Sequence, residues 1–230
     1  MRGLLGRDLR EHPVRWTIAA LCLLMFVPGL DIAFSGLFYR EDVGFYLDRA
    51  RFLVFAREAA PTMILGTVVF CVLLWLGGLV FHQTFLTITT RRMGYLIASL
   101  AIGPGLLVET LLKSHWGRAR PNDTVFFGGH AAFTPPGWIA EECSHNCSFT
   151  SGHAAIGFWL TAYAFLLPKE WRLAGVLAGL FCGGAIGMVR VIQGAHFLSD
   201  IVFAGAFVLA VNAGLARLIL GRSGGSSDDR

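Results

Sequence analysis

Charge is what this sequence has least of. Only 15% of its 230 residues are Asp, Glu, Lys or Arg, where a soluble domain carries about 25%. Hydrophobic residues make up 55%, and the mean hydropathy is +0.61. Uncharged runs of about 20 residues recur along the chain, which excludes a soluble domain and places it among integral membrane proteins. Lysine is nearly missing: Lys113 and Lys169 are the only two beside the arginines that make the net charge +4. This basic excess sits mostly in short connections between apolar runs, where it sets orientation. There is no basic stripe interleaved with aromatics, so no nucleic-acid partner is expected. Internal repeats and a second domain are also lacking. No four His, Cys, Asp or Glu residues have the spacing of a zinc site, so neither metal nor cofactor is expected.

Cysteine is sparse and divided. Cys22, Cys71 and Cys182 fall inside apolar runs and read as small packing residues. Cys143 and Cys147 share a polar loop, where a bridge is expected if the loop faces an oxidising compartment. Arg2, Arg7 and Arg10 ahead of an apolar run resemble a secretory signal. That run is too long and has no small-residue cleavage site, so it reads as the first span.

Six spans are predicted, at 16–38, 62–81, 93–112, 149–167, 173–189 and 197–220. Between the first two, Arg49, Arg51 and Arg57 alternate with Phe45, Leu47, Phe52, Leu53 and Phe55. That mixture predicts an amphipathic helix on the membrane surface over 41–58. The expected fold is an all-α bundle of six transmembrane helices, one membrane-embedded domain over 1–222 with a disordered polar tail at 223–230. With the N-terminus inside, Arg and Lys divide eleven to eight in favour of the inner side. Arg49, Arg51 and Arg57 of the surface segment and the motif residues Lys113, Arg120 and Arg190 make up six of the outer eight, so both termini are expected in the cytoplasm. Gly175, Gly179, Gly183 and Gly187 recur every four residues in span five and predict a smooth face for close helix packing.

Three clusters of ionisable residues sit at span mouths, where such groups default to a functional reading. Lys113, Arg118 and Arg120 end span three, and suit either phosphate contact or headgroup anchoring. Glu109, four residues before Lys113, is placed to pair with it. Ser151-Gly152-His153 opens span four, where free N–H groups favour an anion. Taken alone, it is also an ordinary N-cap with a chance histidine. Arg190, His196 and Asp200 surround the turn between spans five and six. His196 and Asp200, spaced i, i+4, share a helix face, so a carboxylate is able to hold one imidazole N–H and leave the other nitrogen free to attack. A purely structural His–Asp pair has the same spacing. The six-span layout brings all three clusters to the outer side.

Together, Lys113-x6-Arg120-Pro121, Ser151-Gly152-His153 and Arg190-x5-His196-x3-Asp200 resemble the three-part signature of the type 2 phosphatidic acid phosphatase (PAP2) superfamily. The resemblance implies a metal-independent phosphatase that works through a phosphohistidine. By it, His196 is the nucleophile, Asp200 orients it, and His153 protonates the leaving group and then activates water. Lys113, Arg120, Arg190, Ser151 and the Gly152 N–H bind the phosphoryl oxygens. Two positions depart from the family pattern: Thr150 replaces the usual Pro and Val189 the usual Ser, the latter removing a hydroxyl that often contacts phosphate.

The expected substrate is a lipid phosphate monoester or pyrophosphate, handled at the outer face of a bacterial inner membrane. Lipid A phosphate or undecaprenyl pyrophosphate is favoured over phosphatidylglycerol phosphate or phosphatidic acid. A non-catalytic lipid-phosphate binder or transporter is the main rival reading. Vanadate-dependent haloperoxidases share such a site but are soluble.

Overall fold

The computed structural model describes Val27 and residues 29–221. Most of the expected first span and the tail at 223–230 lie outside the described residues. The order is α1 (Gly29–Gly36), a hairpin of β1 (Tyr39–Arg40) and β2 (Gly44–Phe45), α2 (Arg51–Phe81), α3 (Thr90–His115), α4 (Gly152–Trp159), α5 (Thr161–Ala164), α6 (Lys169–Ile192) and α7 (Leu198–Leu220). Helices α2, α3, α6 and α7 are long and apolar enough to cross a membrane. The chain is thus a multi-pass, helical membrane protein.

Two expectations about local structure need correction. No surface helix covers 41–58. The antiparallel hairpin occupies its first part, with Tyr39 opposite Phe45 and Arg40 opposite Gly44. Gly44, at φ +82°, supplies the left-handed turn residue. Tyr39, Phe45 and Phe127 then pack edge to face at centroid distances of 5.2 to 5.5 Å, so these three rings face one another, whereas Phe52 and Phe55 on α2 are exposed. The second part is the start of α2, whose 31 residues make a rod of about 46 Å. That exceeds the hydrocarbon thickness of about 30 Å, so Arg51 and Arg57 ride on the overhang.

The fourth span is also not one helix. It breaks at Leu160 into α4 and α5, neither long enough alone to span. The Thr161 hydroxyl bonds the Phe158 carbonyl at 2.8 Å, offering the backbone an alternative partner. Short i→i+3 bonds, such as Leu160 N to Gly157 O at 3.2 Å, tighten the turn there.

The glycine stripe of α6 is a packing face, as its period predicts. A Cβ on Gly179 would lie 2.7 Å from the Thr161 nitrogen, and one on Gly175 2.9 Å from Ala164. On Gly183 and Gly187 it would overlap Phe158 and Ile201. The stripe thereby seats α4, α5 and α7 against α6, and it leaves α2 mostly to lipid, with Phe70, Leu73, Val80 and Phe81 exposed. Buried polar groups fasten the interior. Trp159 donates to Ser99 at 2.9 Å, Tyr95 to the Asn212 carbonyl at 3.2 Å, and Asn212 to Thr161 at 2.9 Å.

In α3 the ladder loosens into a π-helical stretch over Ala101–Leu112, where Pro104 lacks an N–H to donate. Loop 116–151 returns across the end of the bundle where α3 finishes. Trp116 stacks on Phe149 at 4.7 Å and donates to the Pro136 carbonyl at 2.8 Å. Cys143 and Cys147 are bridged in this loop, as expected from their setting.

Candidate active site

One end of the bundle gathers the C-terminus of α3, the N-termini of α4 and α7, and the C-terminus of α6. Those four ends and the segments joining them carry every candidate site residue. Lys113 closes on Glu109 at 3.0 and 3.1 Å, the pair its spacing predicts. The Glu109 carboxylate lies so close to Gly152 that a side chain there would overlap it. That carboxylate is the far end of a flexible side chain, and the contact ties the first cluster to the second. Ser151 caps α4, accepting from Ala154 N at 3.4 Å. His153 is half-buried.

Arg120 lies on the loop just beyond α3, and its Nε and Nη2 donate to the Asn146 carbonyl at 3.0 and 2.7 Å. Asn146 sits inside the Cys143–Cys147 ring, so the disulfide loop steadies a candidate phosphate ligand. Burial pushes the Arg120 guanidinium down from its ordinary value, while Asp123, Asp200 and Glu109 oppose that shift. Arg190 ends α6 and donates to Gln193 Oε1 at 2.6 Å; Gln193 in turn donates to the Asp48 carbonyl at 3.0 Å. The Nε of Arg190 is buried with no partner, a donor still to be satisfied. Gly194, at φ +67° and packed on Phe45, turns the chain toward His196.

His196 is 2% exposed, and its Nδ1 lies 2.7 Å from the Ser148 carbonyl oxygen. A carbonyl only accepts, so the proton resides on Nδ1 and the lone pair on Nε2. Burial pushes the His196 imidazole below its ordinary value. Asp200 pulls it upward, and Arg120 and Arg190 press it down further. The ring is therefore neutral at physiological pH.

Asp200 does not hold His196 directly, contrary to the simplest reading of the i, i+4 pair. Its Oδ2 is 3.7 Å from Nδ1. Its oxygens are taken by the Ser148 hydroxyl at 2.5 Å, the Phe197 N–H at 2.8 Å and Arg118 Nη1 at 2.6 Å. Ser148 is the intermediary, giving its hydroxyl to Asp200 and its carbonyl to His196.

Arg118 faces away from the anion site the sequence suggested for it. It is fully buried and joins Asp200 to Asp31, with Nη2 2.8 Å from Asp31 Oδ2. Its Nε donates to the Thr134 carbonyl at 2.8 Å, and its guanidinium lies 4.4 Å from the Phe197 ring centroid. Asp31 also accepts from the Ser199 N–H at 2.9 Å and from the Ser199 hydroxyl. Asp31, Ser148 and Ser199 have no local signal in the sequence, because their partners lie 48 to 168 residues away.

The model of the PAP2 superfamily matches residues 92–222. The chain is also 37% identical to a lipid A 4′-phosphatase of Francisella tularensis subsp. novicida, over 82% of this chain and 86% of that protein. It is 34% identical to a lipid A 4′-phosphatase of Rhizobium leguminosarum, over 87% and 91%. A lipid A 1-phosphatase of Rhizobium etli is 37% identical over 50% of this chain and 45% of its own. The chain belongs to the PAP2 superfamily. No solved structure is a significant match. As a PAP2 protein it is a membrane phosphatase, and among the described residues no His, Cys, Asp or Glu cluster is arranged to hold a metal.

Proposed function

We propose that this PAP2 enzyme hydrolyses a phosphate monoester of lipid A, at the 4′ position, on the periplasmic side of a bacterial inner membrane. The observation that carries the chemistry is the Ser148 carbonyl on His196 Nδ1, which leaves Nε2 as the nucleophile. Preference for the 4′ position rests on relatives that match over most of the chain, whereas the 1-phosphatases match over about half. Positive-inside bias supports cytoplasmic termini and an outward-facing site within one domain over 1–222.

His196 Nε2 attacks phosphorus as the bond to the sugar oxygen breaks, and His153 gives its proton to that oxygen. The phosphorylated ring keeps its Nδ1 proton and is cationic, so the Asp200 carboxylate nearby stabilises it. Water then attacks phosphorus, His153 takes its proton, and the N–P bond breaks to release phosphate. Lys113, Arg120, Arg190, the Ser151 hydroxyl and the Gly152 N–H bind the equatorial oxygens as charge builds on them. The orphan Nε of Arg190 supports its place in that set.

Purified protein in detergent is expected to release phosphate from lipid A with EDTA present, yielding a product that mass spectrometry shows to lack the 4′ group. His196→Ala is expected to reduce release to background. Binding without turnover would favour the non-catalytic reading. Turnover of undecaprenyl pyrophosphate or phosphatidic acid in place of lipid A would overturn the substrate assignment.

A further inference from the structure

The opposite end of the bundle carries a concavity of its own. A cavity of about 590 Å³ there is lined by Thr87, Thr89, Arg91, Arg92 and Arg172, with Phe165 and neighbouring leucines forming the rest of its wall. Among the described residues no carboxylate lines it. Arg91 Nε donates to the Ile219 carbonyl, and Arg92 Nη1 to the Thr87 carbonyl at 2.9 Å and to the Thr87 hydroxyl. Those acceptors are neutral and do not cancel the charges. Arg172 lies 6.0 Å from the Phe165 ring centroid, and its Nε is buried with no partner. Helices α3 and α6 both begin here, at Thr90 and Lys169, adding their positive ends.

Orientation alone accounts for arginines on this side of the membrane. It does not account for three of them walling a concavity with an unsatisfied guanidinium N–H. Planar guanidinium forks and threonine hydroxyls match a tetrahedral oxyanion, and the apolar wall of Phe165, Leu166, Leu167 and Leu220 matches the top of an acyl chain. We propose that this cavity binds the phosphate of an anionic phospholipid from the leaflet opposite the active site. The 26 residues of α3 set the two ends about 39 Å apart, so this lipid does not compete with substrate.

The test is thermal unfolding of the full-length chain in neutral detergent, titrated separately with phosphatidylglycerol, phosphatidylcholine and inorganic phosphate. Phosphatidylglycerol is expected to raise Tm while phosphatidylcholine does not. In Arg172→Gln the half-maximal lipid concentration is expected to rise about tenfold or more, with turnover of substrate unchanged. An equal response to inorganic phosphate, lost in the same variant, would support the phosphate site and assign it to the soluble ion. Equal shifts from both lipids, or a phosphatidylglycerol shift unaltered in both Arg172→Gln and Arg92→Gln, would overturn the proposal. Should Arg172→Gln fail to fold, native mass spectrometry of the wild-type chain decides, since equal retention of the two lipids overturns it.

Discussion

At His196 three influences meet on one ring. Burial is the largest and lowers the basicity of the imidazole, Asp200 works against it, and two arginines work with it. Attack on phosphorus needs the neutral ring, and protonation below its own pKa removes the lone pair. The acid limb of kcat/KM is therefore expected below the ordinary imidazole value of about 6.5, measured as phosphate release from pH 4 upward in steps of about half a unit. A limb assigned to His196 that lies above that value would contradict the burial argument. Replacing His153 tests the proton-transfer role: His153→Ala is expected to lower kcat by about 10²- to 10⁴-fold, least for substrates with acidic leaving groups.

Arg118 shows what a buried charge does when its partners are fixed. With Asp31 and Asp200 on either side, its removal leaves two carboxylates buried without a cation. Arg118→Met is expected to cost about 3–5 kcal/mol of stability, read as loss of Tm or of expression in detergent, whereas a phosphate ligand replaced by Met would mainly raise KM. The three site motifs were legible because each is a short string with its chemistry written in adjacent letters. Ser148 and Asp31 were not, because their roles exist only once distant segments meet. Arg118 was legible as a cation, but not as one turned inward, since composition says nothing about direction.

Among the helices, α6 states its packing most openly. Its four-residue glycine period is a pattern on one face, and the neighbours it admits follow from sterics. Gly183→Leu is expected to push Phe158 and α4 outward, destabilising the fold by at least about 1–3 kcal/mol and lowering activity in parallel, because α4 begins with Ser151-Gly152-His153. Gly184, with open space beside it, is the control, and Gly184→Ala should leave Tm unchanged. Hydrophobic period and length found the unbroken helices. They failed where a run was apolar throughout but locally bent, as at Leu160, and where aromatic and basic residues mixed for different reasons, as at Tyr39–Phe45. At the hairpin the packing on Phe127 decided the backbone, and no window of sequence contains that contact. At Leu160 the short-range bond from the Thr161 hydroxyl to the Phe158 carbonyl did, which hydropathy does not register.

Across the whole molecule the two membrane faces differ in chemistry. One end carries the PAP2 motifs and the bridged loop, and the other carries the arginine-lined cavity. If the motif end faces the periplasm, Ile139→Cys is expected to react with a membrane-impermeant maleimide in cells with a permeabilised outer membrane, and Glu170→Cys only after lysis. Labelling in the reverse pattern would invert the topology.

Asp31 and Ser199 belong to opposite ends of the chain, yet the carboxylate of one seats the first turn of the helix carrying the other. A ribosome must therefore deliver almost the entire polypeptide before Arg118 has both anions to bridge. Partly inserted chains would hold the glycine and histidine of the middle motif, but no organised nucleophile. Catalysis should switch on only with the last helix in place, sparing the membrane from stray dephosphorylation by unfinished copies.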